Sequence, residues 1–434
     1  MQKKITLMQC ISLVTGNLVG SGVFMLPVLL AVYGSSSIIG WVITSISAVC
    51  LALVFAKLSI KVPKCHGGPQ SFIMKSFGKS AGFWAAWGYW VLTWSSNTAL
   101  IVAATSYLSK IFQGFSTLQT LIVQISIWGA ITTINIVGVR TAAKFELIVT
   151  VLKLVPIVLI PFIGLFFINF DNLLDFMPSD SNISVYSSIK ACVFLTLWAF
   201  IGVESATVPA KNVENPSKTI AIATILGTSV AALVYILGSV AIIGVLGNDK
   251  ILLSTAPYAD LANVLFGGSW GMVIAVFSVI SCIGAFNGWS LVVARIAQGA
   301  ADEGIFPKIF SKENSAGTPV ASILISSFCT LIAIFFTLQK DMLVQFNLII
   351  DTAVTLILLI YLASVLSFFR IIKQKSFVDY IVSCISLLFV LFAIYSTGVI
   401  TLLHAVILLL TGLPVFLVCI KKLNLGQIFY RLES

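Results

Sequence analysis

Apolar residues run through this chain in about twelve stretches, each near the roughly 20 residues a helix needs to cross a hydrocarbon layer, with only short connections between them. Of its 434 residues 59% are hydrophobic and only 9% charged, too few polar side chains to cover a soluble globule. The expected fold is all-α: one polytopic membrane domain with about twelve transmembrane helices. The apolar runs place them at 7–32, 37–60, 82–109, 119–139, 145–168, 188–209, 219–245, 269–298, 319–338, 346–369, 378–397 and 399–420.

A formal charge of +10 would suggest nucleic acid in a soluble protein. Here the cations are dispersed among short loops, so no nucleic-acid partner is expected, and topology accounts for the excess. Alternate connections carry Lys57, Lys61, Lys64, Lys75, Lys79, Arg140, Lys144, Lys211, Lys218, Lys308, Lys312, Arg370, Lys373, Lys375, Lys421 and Lys422. The opposite ones hold few cations and the acids Asp171, Asp175 and Asp180. The positive-inside rule puts the first set, with both termini, in the cytoplasm of a cell whose inner membrane the chain crosses. The apolar stretch after Met1–Thr6 lacks a small-residue cleavage site and reads as a retained first helix. Eight cysteines sit mostly singly in apolar runs and read as small core residues. His66 and His404 are isolated, and no phosphate-binding, zinc-protease or nucleophile-elbow pattern occurs. Neither an enzyme, a cofactor nor a metal site is expected.

Two spans look interrupted: the first at Gly16-Asn17-Leu18-Val19-Gly20-Ser21-Gly22 and the sixth at Ala199-Phe200-Ile201-Gly202-Val203-Glu204-Ser205. They lie five spans apart. Five is odd, so a second five-helix unit would enter the membrane inverted relative to the first, and breaks at matching positions point to an inverted-repeat transporter. The expected organisation is a first repeat over 1–168, a second over 188–370 and two additional helices over 378–420. The Gly16-xxx-Gly20 spacing also suits plain helix packing.

A broken membrane helix leaves backbone N–H and C=O groups that no water satisfies at mid-bilayer. An α-amino acid, with a carboxylate beside an ammonium, complements both. At these residues the chain resembles the amino acid/polyamine/organocation transporters, and within them the bacterial basic amino acid/polyamine antiporters, most closely the arginine/agmatine type. The likeness covers nearly the whole chain. It rests on Gly16-Asn17-x-x-Gly20-Ser21-Gly22-Val23-Phe24 with Leu26-Pro27, on Leu197-Trp198-Ala199-Phe200-Ile201-Gly202-Val203-Glu204-Ser205-Ala206, on Asn212-Val213-Glu214-Asn215-Pro216, and on Gly288-Trp289 followed by Asp302-Glu303-Gly304-Ile305-Phe306-Pro307.

The resemblance implies a five-plus-five inverted-repeat fold and a substrate site that includes Asn17. Ser21 and Gly22 would hold the carboxylate, and the carbonyls of Leu18, Trp198 and Ile201 the α-ammonium. Trp198 would cover the site, Trp289 would pack along the substrate side chain, and Thr93 with Asn97 would reach its distal cation. Tyr89 and Glu204 match positions tied to gating and pH response. A cation over an indole face gains cation–π attraction, although tryptophans also serve as packing and interface anchors.

Two further ionisable residues stand inside apolar spans, where such groups are expensive and mark substrate or ion pathways. Asp351 interrupts Phe346-Asn347-Leu348-Ile349-Ile350 and Thr352-Ala353-Val354-Thr355. It would favour a cationic side chain at the distal end, or else pair internally with Lys153. Lys153 departs from the arginine/agmatine type and matches members in which lysine occupies a sodium position; it also suits snorkelling to an interface. Arg295, Asp302 and Glu303 form either an inner gate or an ordinary solvated helix end. The expected function is alternating-access exchange of a cationic amino acid for its decarboxylated amine, arginine/agmatine or ornithine/putrescine. A proton-coupled, sodium-independent importer using Lys153 and Glu204 is the other reading. The expected partners are the small-molecule substrates, the lipid bilayer and, as the resemblance allows, a second copy in a homodimer.

Overall fold

A computed structural model of the chain describes residues 4–20, 22–62, 68–174, 184–254, 256–315, 317–337 and 342–420, with backbone alone at 337, 342–350 and 420. Ser21, Lys64, Cys65, His66, Asp175, Asp180, Lys421 and Lys422 lie outside the described residues. In chain order the helices are α1 (Leu7–Leu18), α2 (Gly22–Ala31), α3 (Ser36–Lys61), α4 (Pro69–Phe77), α5 (Lys79–Ile111), α6 (Thr117–Val137), α7 (Val139–Gly164), α8 (Phe170–Leu174) and α9 (Val185–Leu197). They continue as α10 (Pro216–Leu246), α11 (Asn248–Leu253), α12 (Pro257–Phe266), α13 (Gly271–Asp302), α14 (Val320–Thr337), α15 (Met342–Ile371), α16 (Phe377–Thr397), α17 (Val399–Leu410) and α18 (Leu413–Ile420).

Among the described residues ten segments are long and apolar enough to span a membrane, and Val320–Phe336 adds a shorter one. The 33-residue α5 joins them by length. Its composition is diluted by the polar run Ser95-Ser96-Asn97-Thr98, of which Ser96, Asn97 and Thr98 are buried. The least hydropathic long helix is therefore one that faces the protein interior.

The helices are apolar outside and partly polar inside, as a lipid solvent demands. On α7 the buried positions include Glu146, Thr150, Lys153 and Ile157, spaced three or four apart, while Ile148, Val151, Val155, Leu159 and Phe162 face outward. Lys153 is fully buried, which rules out snorkelling. Cys384 departs from the core expectation; it lies on the outward face of α16, while Cys10, Cys50, Cys192, Cys282 and Cys419 are buried.

Both expected interruptions are present, and they differ. Span one stops at Leu18 and resumes as helix at Gly22. Span six ends its α-helix at Leu197, continues as a 3-10 turn over Trp198–Phe200, and opens at Gly202 with φ +116°, a conformation that glycine alone adopts without strain. Beyond it only 3-10 turns form, at Ser205–Thr207 and Ala210–Asn212, where the sequence predicts helix to residue 209. Pro209 supplies no backbone N–H there, and Asn215 in left-handed geometry starts α10 instead.

The two interrupted spans are joined at the lysine-rich end of the bundle. Ile5 N–H donates to Asn212 C=O (2.7 Å) and Glu214 N–H donates to Ile5 C=O (3.0 Å), a parallel bridge between the segment before α1 and the one after the second break. Nearby, Arg295 is buried and donates to Gln298, to Glu313 (3.3 Å) and to Gly317 C=O (2.9 Å). Lys211 reaches Asp302 (3.9 Å) and Glu313 (3.8 Å), linking the chain after the second break to the end of α13. Of the expected Arg295-Asp302-Glu303 cluster, Arg295 is thus bonded inside the protein, to Gln298, Glu313 and Gly317 rather than to the two acids, while Asp302 is exposed at the helix end.

Glu303, just past the span, accepts from the Ser71 hydroxyl, and its second oxygen is buried without a partner among the described residues. Burial, opposed by the Ser71 hydroxyl and reinforced by Asp302, raises its carboxyl to about 7 from an ordinary 4.5. Between those values the folded chain keeps a proton that the unfolded chain has released, so stability falls as pH rises across that window. Thermal unfolding in detergent at pH 5 and pH 8 should therefore show a larger loss for the parent protein than for Glu303→Gln; equal losses would contradict this.

Candidate functional site

The two breaks face each other, and between them lies a cavity lined by Asn17, Leu18, Gly20, Gly22, Ser96, Leu100, Trp198, Ile201 and Trp289. Its free volume is about 20 Å³, room for water rather than for an amino acid. The structure therefore holds the site closed. A larger void of about 370 Å³ opens between α4, α5 and α15. Its lining is apolar apart from one indole, with Ile73, Phe77, Leu356, Ile360 and Leu409 among it, so it has little with which to orient a zwitterion.

The first break is held together by side chains that take up its freed carbonyls. Lys153 Nζ donates to Gly16 C=O (2.8 Å), Tyr235 Oη donates to Leu18 C=O (2.8 Å), and Ser281 Oγ stands 3.2 Å from both Val19 and Gly20 C=O. Tyr235 is itself fixed by stacking on Trp41, centroids 4.5 Å apart and planes 12° apart. At the other edge of the gap α2 begins at Gly22, and a helix N-terminus presents unpaired N–H groups suited to a carboxylate. A methyl group on Gly22 would meet Tyr235 Oη at 3.3 Å and Trp198 Cδ1 at 3.4 Å, so the residue is small because an indole and a phenol close over it.

The second break supplies the opposite wall. Trp198 C=O accepts Ile201 N–H (3.3 Å), which tightens the turn before the chain opens. The Trp289 ring lies against Gly202, where a Cβ would stand 2.9 Å from Cζ2. Two indoles thus flank a cavity whose polar contribution includes Asn17. Both side-chain atoms of Asn17 and the Ser96 hydroxyl are buried without partners among the described residues. Buried amides and hydroxyls cost free energy unless hydrogen-bonded, so this lining favours a polar solute.

Of the residues singled out in the sequence, Asn17, Leu18, Gly22, Trp198, Ile201 and Trp289 meet at the cavity. Thr93 and Asn97 are buried on α5 beside it and do not line it in this closed form; Thr93 Oγ1 donates to Tyr89 C=O (2.6 Å). Asp351 sits half-buried on α15 away from the lining, and the ion pairs among the described residues include neither it nor Lys153. The internal pair between them is therefore absent.

Behind the second break Glu204 is fully buried and accepts two phenol hydroxyls, Tyr89 Oη on Oε1 and Tyr361 Oη on Oε2, both at 2.6 Å. Three spans meet at this carboxylate, so a change in its bonding is felt by α5, α15 and the segment after Gly202 at once. Behind the first break a second buried carboxylate, Glu146, accepts Thr150 Oγ1 (3.2 Å) and Asn287 Nδ2 (3.0 Å). Sequence reasoning did not single out Glu146, Tyr361, Tyr235, Ser281 or Ser96. For Glu146 a signal existed, because residues 146, 150 and 153 form one polar stripe at helical spacing.

A family model described as Amino acid permease matches residues 5–420. The putrescine transporter PotE of Haemophilus influenzae is 32% identical over 418 residues, which cover 94% of this chain and 95% of that protein. The putrescine transporter PotE of Escherichia coli K12 is 30% identical over 416 residues, 94% of each chain. The cadaverine/lysine antiporter of Escherichia coli K12 is 32% identical over 344 residues, 78% of this chain and 76% of that one. In fold the chain is similar to MHP1, a nucleobase-cation-symport-1 family transporter in a closed conformation with bromovinylhydantoin bound. The TM-score is 0.60 over 97% of this chain and 94% of that one, at 11% identity. With the match extending over almost its entire length, the chain belongs to the amino acid permease family of the amino acid/polyamine/organocation superfamily, and is a multi-pass membrane transporter rather than an enzyme.

Proposed function

We propose that the protein exchanges a cationic amino acid for its decarboxylated amine by alternating access, without sodium, in a bacterial inner membrane with both termini in the cytoplasm. The observation that carries this reading is the cavity between two helix breaks, lined by Trp198, Trp289 and Asn17, whose side-chain amide has no partner among the described residues. Indole faces attract ammonium and guanidinium groups, most strongly where water is excluded. The N-terminus of α2, with Ser21 and Gly22, would hold the carboxylate, and carbonyls of the two breaks the α-ammonium. The amine lacks the carboxylate and would use the remaining contacts. The names of the relatives favour lysine with cadaverine as one pair to test first, and putrescine as a second amine, for which the matching amino acid by decarboxylation is ornithine; arginine with agmatine is a third pair.

The two halves, 1–168 and 188–370, would act as inverted repeats, and 378–420 as an addition. Because Ile5 is bridged to the Asn212–Glu214 segment, spans one and six would move together against α5, α7 and α13. Asp351 would approach the distal cation when the cavity opens, along with Thr93 and Asn97. Tyr89 and Glu204 would report pH to the gate.

One observation favours a second reading, proton-coupled import. Lys153 places an ammonium on the Gly16 carbonyl, a position from which a buried lysine can exchange protons as the break moves.

Uptake of labelled lysine, ornithine or arginine into sodium-free proteoliposomes separates the two. Exchange predicts uptake only into vesicles preloaded with amino acid or amine, and no change on adding sodium. Accumulation in empty vesicles under an inward proton gradient would overturn exchange in favour of import. In the same assay Asp351→Asn should lower the preference for cationic over neutral amino acids by about tenfold, the scale of one lost charge-assisted contact. An unchanged preference would remove Asp351 from the site.

A further inference from the structure

Glu146 is used by none of the contacts assigned above to substrate, yet the structure crowds three spans around it. It is 1% exposed. A methyl group on Gly16 would overlap its carboxylate, and one on Gly288 would overlap Asn17 Oδ1 and stand 3.3 Å from Glu146 Cδ. The last turn of α1, with Gly16 and Asn17, is therefore seated directly against this carboxylate and against α13. Asn287 Nδ2, besides binding Glu146, donates to Ala142 C=O (3.0 Å), and its Oδ1 accepts Asn135 Nδ2 (3.2 Å). These bonds tie α6, α7 and α13 into one body at this point. Two turns along α7, Lys153 grips the Gly16 carbonyl. A buried carboxylate without compensation is costly, and Lys153 is the cation on the same buried stripe. Among the described residues, the other ionisable group facing this pair from a packed element is the Cys282 thiol of α13.

We propose that Glu146 is a positioning residue for the substrate carboxylate. Together with Lys153 it seats the last turn of α1 on the α7–α13 body, and so fixes the gap between Leu18 and Gly22 at which the carboxylate would bind. It thereby sets the preference for the amino acid over its amine. The inference rests on the exchange reading above. An amino acid uses both edges of the gap, whereas the amine has no carboxylate to misplace; loosening the turn penalises the two unequally.

The test compares KM and kcat for lysine with cadaverine, and for ornithine with putrescine, in parent, Glu146→Gln and Gly16→Ala. Gln keeps the shape and can still bond Thr150 and Asn287, but leaves Lys153 without its counter-charge. Gly16→Ala presses a methyl group against the Glu146 carboxylate and so displaces the turn while both charges are kept. Both should raise KM for the amino acid about tenfold and for the amine no more than about twofold, with kcat changed equally for the two. Glu146→Asp, which keeps the charge, should recover part of the ratio. Equal effects on both substrates in the variant that folds would reduce Glu146 to a general structural role and overturn the inference. A parent that exchanges neither pair would instead overturn the exchange reading.

Discussion

Everything functional in this molecule depends on how backbone groups freed by a helix break are satisfied where water is scarce. At the first break the carbonyls of Gly16, Leu18, Val19 and Gly20 receive Lys153, Tyr235 and Ser281, donors from three different helices. Each unsatisfied carbonyl would cost several kcal/mol in hydrocarbon, so the break persists only because α7, α10 and α13 carry those side chains at the right depth. Gly22, which opens α2, lines the cavity at the other edge of the break.

The same constraint explains why the polar residues of the interior come as connected sets. Glu204 is bonded by two tyrosines, and Glu146 by a threonine and an asparagine that is bonded onward. Networks of this kind couple helices, since moving one partner strands another. Glu204 lies behind the second break and Glu146 behind the first, and the Ile5 bridge joins the two broken spans at one end. The structure thus has a linked pair of interrupted spans seated on an intact body, with a carboxylate at each seat.

Much of this was legible in the sequence, for physical reasons. The spans come from length and hydropathy alone. The breaks announce themselves because glycine leaves helical geometry at the least cost, as at Gly20 and Gly202. The conformation of the segment after Gly202 was not legible: its apolar composition reads as helix, and only the positions of Pro209 and Asn215 turn it into short 3-10 segments. The cavity residues on the broken spans were readable because the motif itself carries them. Of those on intact helices, Trp289 was carried by the Gly288-Trp289 pair, whereas Ser96 was not. Tyr361 and Tyr235 sit in ordinary aliphatic runs, and what makes them matter is a hydroxyl at one point in space, which no local pattern encodes. Lys153 was visible as an anomaly; Glu146, on the same stripe, stands at the start of its span close to Lys144, where it reads as one more charged helix end unless the helical spacing to Thr150 and Lys153 is counted.

The central claim is that substrate binds between the two breaks, in a cavity that is closed here. Determining the structure with a bound cationic amino acid or diamine tests it most directly. The account predicts the ligand between Asn17, Trp198 and Trp289, the amino acid's carboxylate at the start of α2, and the cavity enlarged from about 20 Å³ to ligand size. A ligand seated elsewhere, or one bound while both breaks keep their present separation, would contradict it.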